Sequence, residues 1–174
     1  KEIGQSALQS TALEKVVFNA DDNELEYIYI ENCANPTEIS IEDNQKVIHI
    51  GLSGTKITTA GLHLAEEYEK LSGLNLGATS LDGTFKVPRF KSTNNTYGSG
   101  IIGQQVYMPN TDVEIIDVSD AGTLRMLHAS NCKNLRKISG TDQLSRLSAL
   151  EVRNVPNLHY LDLPNLKKHG RHNS

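Results

Sequence analysis

The sequence predicts a β-rich (α/β) solenoid with short strands and few or no long helices. Three observations lead to this prediction. Aliphatic residues recur in units of eleven or twelve over residues 113–168, similar strand cores recur less regularly before them, and aromatic residues make up only 5% of the chain. Thin aliphatic layers need no bulky aromatic side chains, which would otherwise dominate the burial in a core. With 174 residues, the simplest interpretation is one domain over residues 1–168 and a solvated tail over 169–174.

The clearest repeats are five units that begin at Val113, Leu124, Leu135, Leu147 and Leu158. Each unit has a second aliphatic residue three positions later, and four of the five have a further apolar residue two positions after that. Residues two apart point to the same side of an extended strand, so both enter one core. We predict that the residues in shared register form one buried stack: Leu124, Leu127, Ala129, Leu135, Ile138, Leu147, Leu150, Val152, Leu158 and Leu161.

Two such units together make a coil of about 22 residues, which lies inside the 20–29 range of leucine-rich repeats. The segment 124–138 recurs 23 residues later as 147–161, and Asn131 matches Asn154 in the two copies. Cys132 occupies the position that Val155 fills in the next copy, which indicates an inward-facing site. The sequence therefore favours an irregular coil of the leucine-rich-repeat type.

The N-terminal half repeats less regularly. Residues 37–42 alternate like a strand, and residues 62–71 have the spacing of a short helix. Residues 86–112 are rich in Gly, Ser, Asn and Pro, which predicts an irregular insertion. The predicted inward pairs of the strand cores are Ile28/Ile30, Ile48/Ile50 and Leu74/Leu76.

The first stretch of the chain suggests a family. Residues 3–18 contain Ile3-Gly4, then Ala7-Leu8, and then Thr11, Leu13, Val16 and Phe18. This pattern resembles the BspA-like leucine-rich repeat of bacterial surface proteins, with Leu8 where that family has Phe. The resemblance implies a right-handed solenoid, extracellular display at the cell surface, and a role in adhesion or scaffolding, and it carries over no catalytic residue. Residues 25–168 depart from it and look more like generic leucine-rich repeats.

The chain begins inside a repeat, and an open solenoid end exposes apolar edges. We therefore expect either further repeats before Lys1 or a neighbouring subunit that covers this end. The first ten residues are not a signal peptide and include no initiator Met, which indicates a processed product or an excised fragment. No apolar run reaches 18 residues, so we expect no membrane span.

The net charge of −4 conceals an asymmetry, because residues 1–85 carry a balance of −9 and residues 86–174 a balance of +5. The simpler interpretation is a dipole on a solvated surface. The alternative is that the two ends present opposite charge to different partners. A nucleic-acid ligand is not expected, because the basic half lacks the aromatic platforms such binders carry.

Candidate reactive groups are few, and we expect no metal and no cofactor. Cys33 and Cys132 occupy inward repeat positions, where thiols are inert core residues. His49 and His128 are expected as outward strand residues rather than metal ligands. The acidic segments 21–24 and 41–44 fit no EF-hand loop and are ordinary turn residues, with calcium ligation as the alternative. The tail pair, His169 and His172, is suited only to adventitious metal binding.

The outward strand residues predict function best as a group, because solenoids use extended faces for recognition. The leading hypothesis is a non-catalytic extracellular module that binds protein or glycan. The alternative is a structural subunit of a larger surface or virion assembly. A weaker third idea, a hydrolase, would need Asp117, Glu151 and Asp162 clustered on one strand face. The predicted ligand-binding face consists of Tyr27, Tyr29, His49, Asn75, Asp117, His128, Glu151, Arg153 and Asp162.

Overall fold

A computed structural model describes residues 2–3, 8, 11–19, 24–92, 96–97, 101–102 and 104–165. Short strands dominate this part of the chain. They are β1 (Glu2–Ile3), β2 (Lys15–Val17), β3 (Tyr27–Tyr29), β4 (Glu38–Ser40), β5 (His49–Gly51), β6 (Leu62–His63), β7 (Glu67–Tyr68), β8 (Gly73–Asn75), β9 (Asp82–Lys86), β10 (Arg89–Phe90), β11 (Thr96–Tyr97), β12 (Ile101–Ile102), β13 (Gln105–Tyr107), β14 (Asp112–Asp117), β15 (Met126–His128), β16 (Lys137–Ser139) and β17 (Ala149–Glu151).

The strands form a β-solenoid of about six turns. Seven of them pair in the order β1-β3-β5-β8-β13-β15-β17, and we call this sheet the main sheet. Every pairing in it is parallel, so each turn places one strand beside its counterpart in the next turn. The register aligns the central residues of the seven strands: Ile3, Ile28, Ile50, Leu74, Val106, Leu127 and Leu150.

Each turn leaves the main sheet and returns through strands of smaller parallel sheets. These sheets have the orders β2-β4-β6 and β9-β14-β16, and β7 pairs with β10. The part of the chain with described structure contains no α-helix, and its one helical element is the 3-10 turn Thr141–Gln143. The solenoid prediction is therefore confirmed in its coarse form.

The core runs the length of the coil as stacked aliphatic side chains. Ile28, Ile50, Leu74, Val106 and Leu127 are all at most 1% exposed. The predicted C-terminal stack is confirmed, because six of its ten residues are buried and the other four are half-buried and packed against the core. Those four, Leu150, Val152, Leu158 and Leu161, belong to the last described turn.

A sharp corner follows each main-sheet strand from β3 onward. The residue three positions after each strand has a positive φ, and these residues are Asn32, Gly54, Ala78, Asn110, Asn131 and Asn154. Asn and Gly are the residues that most readily adopt this left-handed conformation. The Asn154 side chain also donates a 2.9 Å hydrogen bond to the side-chain oxygen of Asn131. The repeated asparagine seen in the sequence is thus a corner residue.

The helix predicted over residues 62–71 is wrong. The segment forms β6 and β7 instead, and Leu62 pairs with Ile39 of the preceding turn. Tyr68 is fully buried, donates its hydroxyl to the Ile41 carbonyl at 3.0 Å, and accepts a hydrogen bond from the Ala65 N–H at 3.1 Å. Stacking on the neighbouring turn outweighs the intrinsic helix preference of this segment.

Two further predictions change in detail. In β5 the inward pair is Ile50/Leu52 rather than Ile48/Ile50, because Ile50 aligns with Ile28 and Ile48 is only half-buried. The insertion predicted over 86–112 is narrower, since β10, β13 and β14 begin or lie within it. Val106 of β13 is fully buried in the main-sheet core, so the regular coil resumes despite the Gly-rich flank.

We predict that Leu127→Ala lowers the free energy of unfolding by about 2–5 kcal/mol, because it opens a cavity in the middle of the stack. Leu150→Ala should cost clearly less, since Leu150 is only partly buried in the last described turn. Urea unfolding of both variants measures the difference. Equal decreases in the free energy of unfolding would contradict a stack whose burial decreases towards this turn.

Two glycines with positive φ separate backbone strain from steric clash. A methyl group on Gly140, which has φ 76°, would lie 2.4 Å from the Ser119 Cα, whereas one on Gly83, at φ 54°, would meet nothing within 4 Å. Gly83→Ala should therefore cost about 1–2 kcal/mol of unfolding free energy through conformation alone. Gly140→Ala should cost more, because neighbouring backbone must move. Equal thermal unfolding midpoints for the two variants would refute this.

Candidate binding face

The structure brings together six of the nine residues predicted for the binding face. Strand alternation places them beside the inward central residues, on the outer face of the main sheet. They are Tyr27, Tyr29, His49, Asn75, His128 and Glu151. The other three lie outside the strands of the main sheet, so the predicted residues share one surface only where they belong to those strands.

Asp117 belongs to β14, in a different sheet, and its carboxylate accepts a 3.0 Å hydrogen bond from the Ser119 N–H. It is therefore a turn residue at the end of its strand. Arg153 lies beyond β17, where its carbonyl accepts from the Asn131 N–H of the corner at 2.8 Å. Asp162 is exposed and lies outside any strand. The carboxylates of Asp117, Glu151 and Asp162 therefore do not share a strand face, which removes the geometry that a hydrolase on them would need.

Tyr29 and His49 form the first ring cluster on the face. Their ring centroids are 5.2 Å apart at an interplanar angle of 38°. His49 lies over Gly73, where an added methyl group would come within 2.3 Å of the His49 Nδ1. Tyr29 lies against Gly51, where the same addition would come within 2.9 Å of the ring. Glycine in the neighbouring strand is therefore what gives both rings room to lie across the sheet.

Tyr107, His128 and Glu151 form the second cluster. The rings of Tyr107 and His128 meet edge to face at 4.6 Å, and the His128 Nδ1 lies 3.5 Å from a Glu151 carboxylate oxygen. Tyr107 also lies against Gly77 and is 41% exposed. The sequence-based prediction missed Tyr107, because residues 86–112 were assigned to the insertion. The alternation in Gln105-Val106-Tyr107 was the signal that could have found it.

A polar pair lies between the two ring clusters. The Asn75 side-chain amide donates to a Glu31 carboxylate oxygen at 3.2 Å, and the Asn75 amide oxygen accepts from the Gly77 N–H at 3.2 Å. Glu31 follows β3 and was also missed from sequence. The pair is fixed by its own hydrogen bonds, so it holds donors and acceptors in place on the face.

The remaining candidate groups support no reactive site. Cys33 and Cys132 are free thiols in the core, as predicted, and burial raises the pKa of Cys33. Within the described residues no three His, Cys, Asp or Glu side chains come close enough to hold a metal ion. Residues 21–23 of the first acidic segment, and the tail pair His169 and His172, lie outside the described residues.

A large groove lies away from this face. It has a volume of about 1030 Å³ on the last described turn, and Val152, Val155, Pro156, Leu158 and Tyr160 are among the residues that line it. Half-buried core residues form its apolar part, and its lining includes neither of the two ring pairs. We therefore place the candidate site on the outer face of the main sheet.

Comparison with family models, curated proteins and solved structures returned no match, so function is argued from the geometry of the face. In the part of the chain that the structure describes, no helix has the length and apolar character that crossing a membrane requires.

We predict that His49 makes stability fall in mild acid. Burial lowers the pKa of His49 to about 4 from its ordinary 6.5. Between these values the unfolded chain binds more protons than the folded one, so the free energy of unfolding decreases as the pH falls. The full shift corresponds to about 3 kcal/mol. Urea unfolding at pH 7.5 and pH 4.5 should show a smaller loss for His49→Gln than for the wild type, and identical losses would disprove the assignment.

Proposed function

We propose that this chain is a non-catalytic, adhesin-like recognition module that binds protein or glycan outside the cell through the outer face of its main sheet. One observation carries the proposal. Two ring clusters, Tyr29 with His49 and Tyr107 with His128, lie on the same face and flank the Asn75–Glu31 pair.

The clusters support binding because they are held in place before a ligand arrives. Each ring contacts a glycine position or a second ring, so few side-chain rotations remain to be lost on association. Such losses cost about 0.5–1.5 kcal/mol for each flexible side chain that a ligand immobilises. Tyrosine also combines apolar area with a hydroxyl, which suits both protein and sugar surfaces.

We propose further that the coil is of the leucine-rich-repeat type and right-handed. Support comes from main-sheet register steps of 22 and 23 residues, from Tyr27 to His49 and from Met126 to Ala149. The asparagine corner that recurs at Asn131 and Asn154 adds to it. The BspA-like pattern of residues 3–18 supports display at a bacterial surface.

A second candidate function is a structural subunit of a larger surface or virion assembly. The apolar groove around Val155 and Leu158 favours it, since half-buried core residues there suit contact with another chain. Sedimentation of the purified chain separates the two candidates. A recognition module sediments as a monomer, whereas a subunit associates through this groove.

The first test of the face is the double variant Tyr27→Ala, Tyr29→Ala. We expect it to lose binding of the partner recovered by pull-down, because the tyrosines supply the large contact surfaces of one end of the face. The melting temperature should fall by only a few degrees, since neither ring is fully buried. Tyr160→Ala is the matched control, because Tyr160 is 77% exposed and lies outside the main sheet.

Retained binding by the double variant would reject these tyrosines as the contact surface. Unfolding of the double variant would show that they stabilise the sheet instead.

A further inference from the structure

We infer that the ligand of the main-sheet face is a neutral oligosaccharide, bound across the strands between Tyr29 and Tyr107. This inference rests on the proposed function and names the ligand class for the same face. The juxtaposition that carries it is a platform across the strands, with a ring at each end and the Asn75–Glu31 pair between the rings.

The platform is made by side chains that lie over two outward glycine positions. Gly51 pairs with Asn75, and Gly73 pairs with His49, in the register of β5 and β8. The Tyr29 ring and the Glu31 carboxylate lie over Gly51, and the His49 ring lies over Gly73. The glycines therefore let these groups lie across the sheet, beside the Asn75 side chain.

The chemistry of the platform matches a sugar ring. One face of a pyranose presents C–H groups that stack on an aromatic ring, and its rim presents hydroxyls that both donate and accept hydrogen bonds. Tyr29 and Tyr107 offer the rings. The Asn75 amide donates and accepts, and the Glu31 carboxylate accepts only, so together they meet both needs of a hydroxyl.

The absence of cationic side chains between Tyr29 and Tyr107 indicates that the sugar is neutral. Strands β3, β5, β8 and β13 have eight outward positions in the described main sheet, and none of them is Lys or Arg. Arg153 occupies the position equivalent to Glu31, but it follows β17, two strands beyond Tyr107. The carboxylate of Glu31 lies between the rings, and that of Glu151 lies next to the second ring cluster. An anionic sugar would meet these carboxylates without a compensating positive charge, and burial of like charges is unfavourable.

The separation of the two rings sets the length of the ligand. Tyr29 and Tyr107 are separated by three strand intervals, which at ~4.8 Å each span about 14 Å. This distance accommodates a short oligosaccharide rather than one sugar unit. A chain laid across the strands would contact each ring once and pass over Asn75.

The experiment uses the whole chain and defined probes. Tyrosine fluorescence reports on the face, because the chain has no Trp and three of its six Tyr, namely Tyr27, Tyr29 and Tyr107, lie in main-sheet strands. The neutral probes are cellotriose, chitotriose, maltotriose and mannotriose, and the anionic probes are sialyllactose and a heparin tetrasaccharide. We expect saturable binding of at least one neutral probe and none of the anionic ones.

Four variants test the geometry with the neutral probe that binds. Tyr107→Ala should weaken binding about tenfold, a change of about 1.4 kcal/mol, through loss of stacking. Tyr107→Phe keeps the ring and should stay close to the wild type. Asn75→Ala should also weaken binding, and it tests the platform independently if Tyr107→Ala fails to fold. Tyr160→Ala should bind like the wild type.

Failure of every neutral probe to bind, or binding of the anionic probes alone, overturns the carbohydrate inference. So does binding that survives both Tyr107→Ala and Asn75→Ala. If the Tyr27→Ala, Tyr29→Ala variant then still loses a protein partner that the wild type captures, the proposed function stands without the sugar. If neither a probe nor a partner depends on the face, both fail.

Discussion

The structure depends on one constraint, the parallel hydrogen bonding of each turn to the next. The N–H groups of Ile30 and Leu52 donate to the carbonyls of Gly51 and Asn75, each at 2.8 Å, and Ala129 bonds Glu151 in the same way. Because these bonds fix the register, a residue in one turn lies directly beside its counterpart in the next. Each side chain must therefore fit beside its counterparts in the neighbouring turns. The equivalent residues of successive turns form columns that run along the coil.

The column that follows the corner residues shows how strict this constraint is. It contains Cys33, Thr55, Thr79, Thr111 and Cys132, all of them buried. The three threonine hydroxyls donate to the carbonyl three residues earlier, at 2.9, 2.8 and 3.1 Å. The Cys132 thiol lies 3.2 Å from the Thr111 hydroxyl, so thiol and hydroxyl serve the same position. The cysteines are here as small buried groups rather than as reactive ones.

How far the sequence predicts the structure follows from the same constraint. The C-terminal turns were predictable, because Leu124, Leu127 and Leu135 recur in register with Leu147, Leu150 and Leu158. The register of β5 was not, since Ile48, Ile50 and Leu52 all alternate correctly and only pairing with Ile28 selects among them. The segment 62–71 looked helical because local preference was visible and contact with the neighbouring turn was not.

Some residues of the candidate site were likewise predictable from sequence, and others were not. Tyr27, Tyr29 and His128 were predictable from strand alternation, because residues two apart share a face. The role of Gly51 and Gly73 was not predictable from sequence, because it depends on the rings of the preceding turn that lie over them. Tyr107 lies 32 residues after Asn75 in sequence but one strand away in space, because the long turn between β8 and β13 returns to register. The insertion therefore lengthens one turn without interrupting the main-sheet face, and the two ring clusters remain on one surface.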